Sequence, residues 1–470
     1  MTGRIPIRVV QGLQYGSEAK GAVTAFLALG GDPAWGRAHY AVRTGAVNAG
    51  HTVWHTDADG RDRAHKMQQL STAWVGMPYT RLVIGPGAYI HVPTLLREVA
   101  WIAEALSMTE REVRNLILID HRACLHLDSH QTEAKTHGRH FTIGATGKGC
   151  AEAIVDKITR RGQPDARTIL FSEDRVSEDF RLIDTSALLT TEHHLGKAIL
   201  IEGTQGTLLD LHLGPYPYTT SRMTSAANWL AECGLSPALP VEVVGVCRTY
   251  PIRVAGNSGP MPDETSWPAL GQQILDQADG LGYRPDVKFT TEDLTAFNDA
   301  LVAVASEMAV ASEGLLPESS HLNPTRQHTW CEEDRLRYRV ALSTLNGAAL
   351  NRLTTTNPAA SRRLLPFFEL TTVTGKLRRI AALHLPTLAQ AVWAEQPTFL
   401  ALTFMNYLYP APADMGNYIC VDKWRRLVMA RAKALEVAIG ARLPVPGAVP
   451  PIRFLSVGPR STSADVWAVS

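Results

Sequence analysis

The sequence predicts an α/β protein: a mainly parallel central sheet with flanking helices, plus a mainly helical insertion. Three observations point there. Short apolar, β-branched runs alternate with helical patterns through the first 250 residues. The runs have the texture of strands buried on both faces, and strands of that kind separated by helices form largely parallel sheets. From about residue 258 the pattern turns to loop and long helical periodicity, and strand signals return only near 399 and 453.

The first run, Ile5 to Val10, stops at a glycine loop within VVQGLQYGSEAKG (9–21), and Val23, Phe26 and Leu27 then mark a helix. A strand, a loop and a helix with glycine and lysine between them suggest a phosphate cradle, with backbone N–H groups and the helix N-terminus facing the anion. It is not the common nucleotide loop, because no Gly-Lys-Ser/Thr follows Gly12 at the usual spacing. Further strands are expected in RLVIGPGAYI (81–90), NLILIDHRACLHL (115–127), KAILIEG (197–203) and VEVVGVCRTY (241–250), with a helix in PTLLREVAWIAEAL (93–106). Ligands of such sheets bind at the carboxyl ends of the strands, where the opening loop and IEGTQG both fall. Past the loop-like NSGPMPDETSWP, helices are expected over 290–311, capped by Thr-x-Glu-Asp, and over 332–353. FLALTFMNYL (399–408) and RFLSVG (453–458) give the last strands. The expected organisation is a nucleotide-binding core over 1–257, the helical insertion over 258–368, and the remainder of the core over 369–470.

Of the 470 residues 45% are hydrophobic and 19% charged, and the net charge is +1. Neither nucleic acid nor a membrane surface has a bulk electrostatic claim on such a chain. No apolar stretch reaches the roughly 18 residues of a membrane span. MTGRIPIRVV enters a strand directly, without the look of a signal peptide. Six scattered cysteines without a C-x-x-C read as free thiols in a reducing cytoplasm.

Four further stretches carry chemistry. RTGAVNAGHTVWH (43–55) presents Asn48 and His51 from a small-residue turn, although a lone histidine is more often structural. IGATGKGCAEAIVDKITRRG (143–162) leads a glycine loop with Thr146 and Lys148 into a helix ending at Arg160-Arg161, which suits a phosphate or is simply a helix with a basic end. LIEGTQGTLLDLHLGPYPYTTSR (200–222) offers Gln205, Thr219, Thr220 and Ser221, neutral groups suited to a purine edge, or a plain glycine turn. ELTTVTGKLRRIA (369–381) gathers Lys376, Arg378 and Arg379, and arginine forks match carboxylates and phosphates; a solvated basic turn is the alternative. DHRACLHLDSH (120–130) looks rich in metal ligands, but its spacing fits no standard zinc pattern.

Taken in order, these stretches resemble the adenylosuccinate synthetase family. Its G-D-E-G-K-G-K appears as GSEAKGA (16–22), and its N-A-G-H-T is intact at 48–52. Its G-T-T-G-R-G and D-K-x-x-R-R-G are similar to GATGKG (144–149) and DKITRRG (156–162). Its E-G-A-Q-G-T-L-L-D and Y-P-Y-x-T-S are similar to EGTQGTLLD (202–210) and YPYTTS (216–221), and its T-R-V-G-A-G to IRVAGN (252–257). TVTGKLRR (372–379) and SVGP (456–459) match T-T-G-R-x-R-R and S-T-G-P. The fold this resemblance implies is P-loop-NTPase-like. The reaction it implies joins L-aspartate to a 6-oxopurine nucleotide with a nucleoside triphosphate and Mg²⁺: O6 attacks the γ-phosphate, then the aspartate amine displaces phosphate from C6.

Carried over residue by residue, Ser17, Lys20 and His51 stand at catalytic positions, with His51 as general acid. Ser17, Asn48, Ala49, Thr146, Gln205 and Thr220 would hold the purine monophosphate. Arg160 would reach the 5′-phosphate in a neighbouring subunit, which implies a homodimer. Gly16, Glu18, Ala19, Lys20, Gly21, Ala22, Gly50, His51, Thr52, Arg378, Asn406, Ser456, Val457, Gly458 and Pro459 would serve the donor nucleotide. Val373, Thr374, Gly375, Lys376 and Arg378 would serve aspartate, and Ser17 with the Gly50 carbonyl would face Mg²⁺.

Two departures bear on substrate. The family's loop aspartate, its catalytic base, is Ser17 here, and a hydroxyl is no general base near neutral pH. A short neutral group leaves room for the C2 amine of guanine. The family's guanine-reading T-K-L-D is TFMN (403–406), so Asn406 replaces the aspartate, which suits adenine in the donor. Both changes point to the bacteriophage, PurZ-like branch of the family, and imply dGMP, L-aspartate and ATP or dATP as substrates. An ordinary synthetase using IMP and GTP, and a non-catalytic nucleotide-binding homologue, are the alternatives.

Overall fold

Ten strands form one sheet in the computed structural model, which describes residues 5–57, 59–139, 143–160, 180–311, 345–370, 377–414, 416–445, 449–458 and 466–468. From one edge to the other they are Val466–Ala468, Ile452–Ser456, Phe399–Thr403, Val241–Arg248, Ile7–Gly12, Ile199–Glu202, Tyr40–Arg43, Arg81–Ile84, Ile117–Asp120 and Arg181–Ile183. Every pairing is parallel except the last two strands of the chain, which pair antiparallel at one edge.

The strands are apolar on both sides because both faces are covered. On one face Val10, Ala41, Leu82 and Leu200 pack with Phe26 and Leu27 of the Lys20–Ala28 helix and with Leu95, Val99 and Ile102 of the Val92–Leu106 helix. On the other, Ile7, Val9, Val42 and Ile201 meet Leu189, Trp229 and Leu230, and further along Leu400, Leu402 and Leu455 meet Leu388, Val392, Trp424 and Val428. The α/β expectation therefore holds, and in both 81–90 and 115–127 only the first part enters the sheet. Gly85-Pro86-Gly87 ends the ladder after Ile84, and Tyr89–Ile90 pairs separately with Cys124–Leu125.

Within 258–368 the described residues are mainly helical. Trp267–Leu281 and Thr291–Ala311 pack on each other, helical residues cover 345–356, and Pro358–Leu364 follows. Thr290 and Asp293 cap the second helix by reciprocal bonds of 3.4 and 3.0 Å. These helices share a separate apolar core: Trp267, Leu270, Ile274, Phe297 and Leu353 close around Ile252, Ile380 and Tyr407. The helices thereby press on segments that flank the carboxyl ends of the sheet. Most of the 332–353 helix expectation lies outside the described residues. Among the described residues no helix is long and apolar enough to cross a membrane, and Cys124, Cys150, Cys233, Cys247 and Cys420 are free thiols.

One buried carboxylate shapes the approach to the site. Glu98, on the Val92–Leu106 helix, accepts from the backbone N–H groups of Gln68 (2.6 Å), Gln69 (3.1 Å) and Leu70 (2.8 Å). Gln68 in turn donates 2.6 Å to the Val47 carbonyl, beside Asn48. Burial raises the Glu98 pKa while the N–H groups oppose it. Glu98→Ala leaves those buried donors unpaired, so we expect it to destabilise the protein by about 2–4 kcal/mol, measured by urea unfolding; a loss below about 1 kcal/mol would contradict this role.

Candidate active site

The strand Ile7–Gly12 lies between Ile199–Glu202 and Val241–Arg248 and delivers its loop to the carboxyl end of the sheet. That loop is held by its own charges. Glu18, fully buried, accepts from the N–H groups of Gly16 (2.7 Å) and Gln14 (3.0 Å), and its other oxygen lies 2.7 Å from Lys20 Nζ. Lys20 Nζ also donates to the Gly16 carbonyl at 3.0 Å. A Cβ at Gly12 would stand 2.7 Å from the Gln205 backbone carbonyl as well as against the Glu18–Lys20 pair, so this position must be glycine. Gly16 (φ 102°) and Ala19 (φ 64°) turn the chain through the left-handed region into the Lys20–Ala28 helix.

Four parallel strands end on a charged residue: Arg43, Asp120, Glu202 and Arg248. Glu202 gathers the neighbourhood of His51. Its Oε1 lies 2.5 Å from His51 Nδ1 and 3.2 Å from Arg43 Nη1, and its carboxylate also accepts from the Thr72 N–H and hydroxyl at 2.8 and 3.1 Å. Burial raises the Glu202 pKa, but Arg43 and His51 outweigh it and bring it to about 2. Burial, seconded by Arg43, lowers His51 to about 4 against the pull of Glu202. Near neutral pH Glu202 is therefore ionised and His51 neutral, its proton on Nδ1 toward the carboxylate. Among the described residues the buried His51 Nε2 has no hydrogen-bond partner, which leaves it a bare lone pair.

A cavity of about 560 Å³ opens beside these groups. Ser17, Asn48, Ala49, Thr146, Gln205 and Thr220, the expected purine-monophosphate residues, all line it, as do Gly16, Gly50, His51 and Arg378. Gln205, at φ 59°, donates 2.7 Å to Thr220 Oγ1, which fixes a neutral polar edge on one wall. Among the described residues Lys135, Arg139, Lys148, Arg253 and Arg378 line the cavity against one carboxylate, Glu152, which is already paired with Arg139 and His137. Such a lining attracts an anion. Ser17 Oγ accepts from Arg378 Nη1 at 2.6 Å. A hydroxyl facing a guanidinium is a still weaker base than a free one, and it retains its own proton to donate.

Other expected residues lie elsewhere. Glu18 and Lys20 are buried behind the loop, with Ala19, Gly21 and Ala22 at the helix start; Gly21 packs on His51 and Thr52, and the Thr52 side chain is exposed. Arg160 is the exposed C-cap of the Cys150–Thr159 helix, outside the lining. Asn406 sits in a single 3-10 turn, Met405–Tyr407, and Ser456 ends the strand Ile452–Ser456, with Val457 and Gly458 after it; neither group lines the cavity. Val373, Thr374, Gly375, Lys376 and Pro459 lie outside the described residues. In the 120–130 stretch Asp120 is paired with Arg122, the His126 ring lies between those of His91 and His130, and no group of three or more side chains could hold a metal ion among the described residues.

Sequence reasoning missed Arg43, Glu202, Arg248 and Glu369. Arg248, almost wholly buried, donates 2.9 Å to the Ser17 carbonyl, forks onto Glu369, and lies with its Cζ 3.7 Å from the Phe404 ring centroid. Tyr407 donates 2.9 Å to Glu369. Burial pushes Glu369 up, yet Arg248 more than reverses this and its pKa is lowered. For Arg43, Glu202 and Arg248 the signal available was a charge closing an apolar strand; Glu369 closes none.

The family model for adenylosuccinate synthetase matches residues 9–183 and 165–285. The adenylosuccinate synthetase of Methanococcus vannielii is 33% identical over 278 residues, 58% of this chain and 72% of the relative. That of Methanocaldococcus jannaschii is 31% identical over 281 residues, 58% of this chain and 70% of the relative. Among solved structures, cyanophage S-2L succinoaminodeoxyadenylate synthetase (PurZ), bound to dGMP and dATP, has a TM-score of 0.61 at 22% identity, covering 99% of this chain and 96% of that one. The Plasmodium falciparum adenylosuccinate synthetase has a TM-score of 0.60 at 16% identity, covering 99% and 100%. At these identities the two structures show the shared fold.

The His51–Glu202 pair sets a pH dependence whose sign is fixed. His51 has its folded pKa below the ordinary 6.5, so the unfolded chain takes the proton first. Its contribution is full above 6.5 and is lost as pH falls to about 4; that of Glu202, depressed from 4.5 to about 2, is lost below it in the same direction. We expect stability to fall as pH drops from 6.5 to 4, and His51→Gln to flatten that slope when unfolding free energy is measured against pH.

Proposed function

The chain belongs to the adenylosuccinate synthetase family and is a C–N ligase, and from that premise we propose that its acceptor is dGMP. The reaction would join L-aspartate to C6 of dGMP at the expense of ATP or dATP, giving N6-succinyl-2-amino-2′-deoxyadenylate, ADP or dADP, and phosphate. One observation carries the reading: Ser17, where the family's loop has an aspartate, is a hydroxyl on the cavity wall held by Arg378. A serine there is shorter than the family's aspartate and leaves room for an exocyclic amine next to N1. The cyanophage relative, solved with dGMP and dATP, is an example of the fold with this substrate pair.

The division of labour follows from the site. O6 of the purine is a poor leaving group, and phosphorylation makes it a good one. The cationic lining would hold the 5′-phosphate, and Asn48, Gln205 and Thr220 the base. His51, held neutral near pH 7 by its burial, would gain its second proton when phosphate oxygens approach Nε2, because nearby negative charge favours the imidazolium; it would then donate to the γ-phosphate and O6. Lys20 would leave Glu18 for the transferring phosphate. Arg160, exposed on its helix, would reach the 5′-phosphate held by a second copy of the chain in a homodimer.

The residues here fit Mg²⁺ as a passenger on the nucleotide. Ser17 offers a hydroxyl beside a guanidinium and Gly50 a carbonyl, both neutral, whereas Mg²⁺ commonly takes its remaining ligands from substrate phosphates and water. Bound there, it would neutralise charge on the triphosphate.

An ordinary synthetase acting on IMP with GTP is the second reading, favoured by the archaeal adenylosuccinate synthetases at 31–33% identity. With aspartate and Mg²⁺, we expect phosphate release from dGMP plus ATP or dATP; release from IMP plus GTP alone would establish the second reading instead. Turnover should vanish in His51→Ala and Lys20→Ala, while isothermal calorimetry still detects monophosphate binding. Asn406 in place of a carboxylate forgoes a charge-assisted pair to guanine worth about 2–3 kcal/mol. Asn406→Asp should therefore shift kcat/KM from ATP toward GTP by at least about tenfold, and an unchanged ATP preference would remove Asn406 from the donor site.

A further inference from the structure

We infer that Arg248 and Glu369 are a positioning pair that ties the donor-base turn to the Ser17–Arg378 contact, so that occupancy of one nucleotide subsite sets the geometry of the other. The inference rests on the ligase reading of the cavity and deepens it.

Arg248 is the hub. Its backbone is clamped to the glycine loop by the Gln14 amide, which accepts from the Arg248 N–H at 2.9 Å and donates to its carbonyl at 3.1 Å. Its guanidinium continues the link, with Nη1 donating to the Ser17 carbonyl at 2.9 Å and to Glu369 at 3.2 Å, and Nη2 donating to the other Glu369 oxygen. Glu369 then carries the link to Arg378. The Arg378 N–H donates 2.9 Å to the Glu369 carbonyl, its Nε donates 3.2 Å to the Leu370 carbonyl, and its own carbonyl accepts 2.8 Å from the Trp267 indole. With the Arg378 main chain held on both sides, the position of Glu369 decides where the Arg378 fork meets Ser17 Oγ.

The donor-base turn enters through the same two residues. Phe404, at φ 56°, lays its ring under the Arg248 guanidinium, and the Tyr407 hydroxyl binds Glu369. Asn406 lies between them in sequence. A base docking on Asn406 therefore bears on a turn whose two aromatic neighbours grip the pair. Among the described residues the buried Arg248 Nε has no hydrogen-bond partner.

Arg248→Lys keeps the charge and loses the fork and the flat stack; Tyr407→Phe removes one hydrogen bond and keeps the ring. In the full chain, the affinity of dGMP and of IMP would be measured by calorimetry with and without a non-hydrolysable ATP or GTP analogue, beside kcat and the melting temperature. In the wild type we expect the analogue to tighten monophosphate binding at least about fivefold. In Arg248→Lys, monophosphate alone should bind within about threefold of wild type, the enhancement should disappear, and kcat should fall about tenfold or more. Tyr407→Phe should show the same pattern, reduced, with an unchanged melting temperature. No enhancement in the wild type, enhancement intact in both variants, or equal losses with and without the analogue would overturn the inference. Coupling is read by binding, so failure of the dGMP assignment, seen as turnover with IMP and GTP alone, remains a separate result.

Discussion

The carboxylate of Glu202 is the interaction on which the site depends. It closes a strand that is otherwise wholly apolar, and it receives a guanidinium, an imidazole, a hydroxyl and a backbone N–H. Those donors come from another strand of the sheet, from the first residue of the His51–Thr56 hairpin strand, and from the turn at Thr72. An ionised group so deep in the protein persists only when its bonds are satisfied. Here satisfying them also fixes which nitrogen of His51 carries the proton and which faces the cavity.

The electrostatics on the two sides of the glycine loop differ. Behind it, Glu18 and Lys20 cancel each other in a closed pair. In front, cations outnumber carboxylates along the cavity and a neutral hydroxyl occupies the point nearest Arg378. The site thus offers an anion a cationic lining beside neutral hydrogen-bonding groups. The helices within 258–368 contribute from outside, since Trp267 holds the Arg378 carbonyl while its ring sits in their shared core.

The sheet was legible because its strands are buried on both faces and declare themselves by composition alone. That Asn48, Thr146, Gln205 and Thr220 belong to one wall was legible because they sit in short glycine-rich motifs. The pairing that organises these motifs was not. Arg43 and Glu202 lie 159 residues apart, and Arg248 and Glu369 121 apart, and nothing local to either partner announces the other. Ser17 could be read as an absence of charge, whereas its being held by Arg378, 361 positions away, needed the fold. The split of 81–90 and 115–127 escaped for a simpler reason: each carries apolar residues past its break, and those residues pair outside the main sheet.

The Glu18–Lys20 pair has a consequence for what the resting protein attracts. A lysine already matched to an internal counterion has little to gain from a stray sulfate or chloride in its surroundings. The loop thereby keeps its cation neutralised from within and away from solvent.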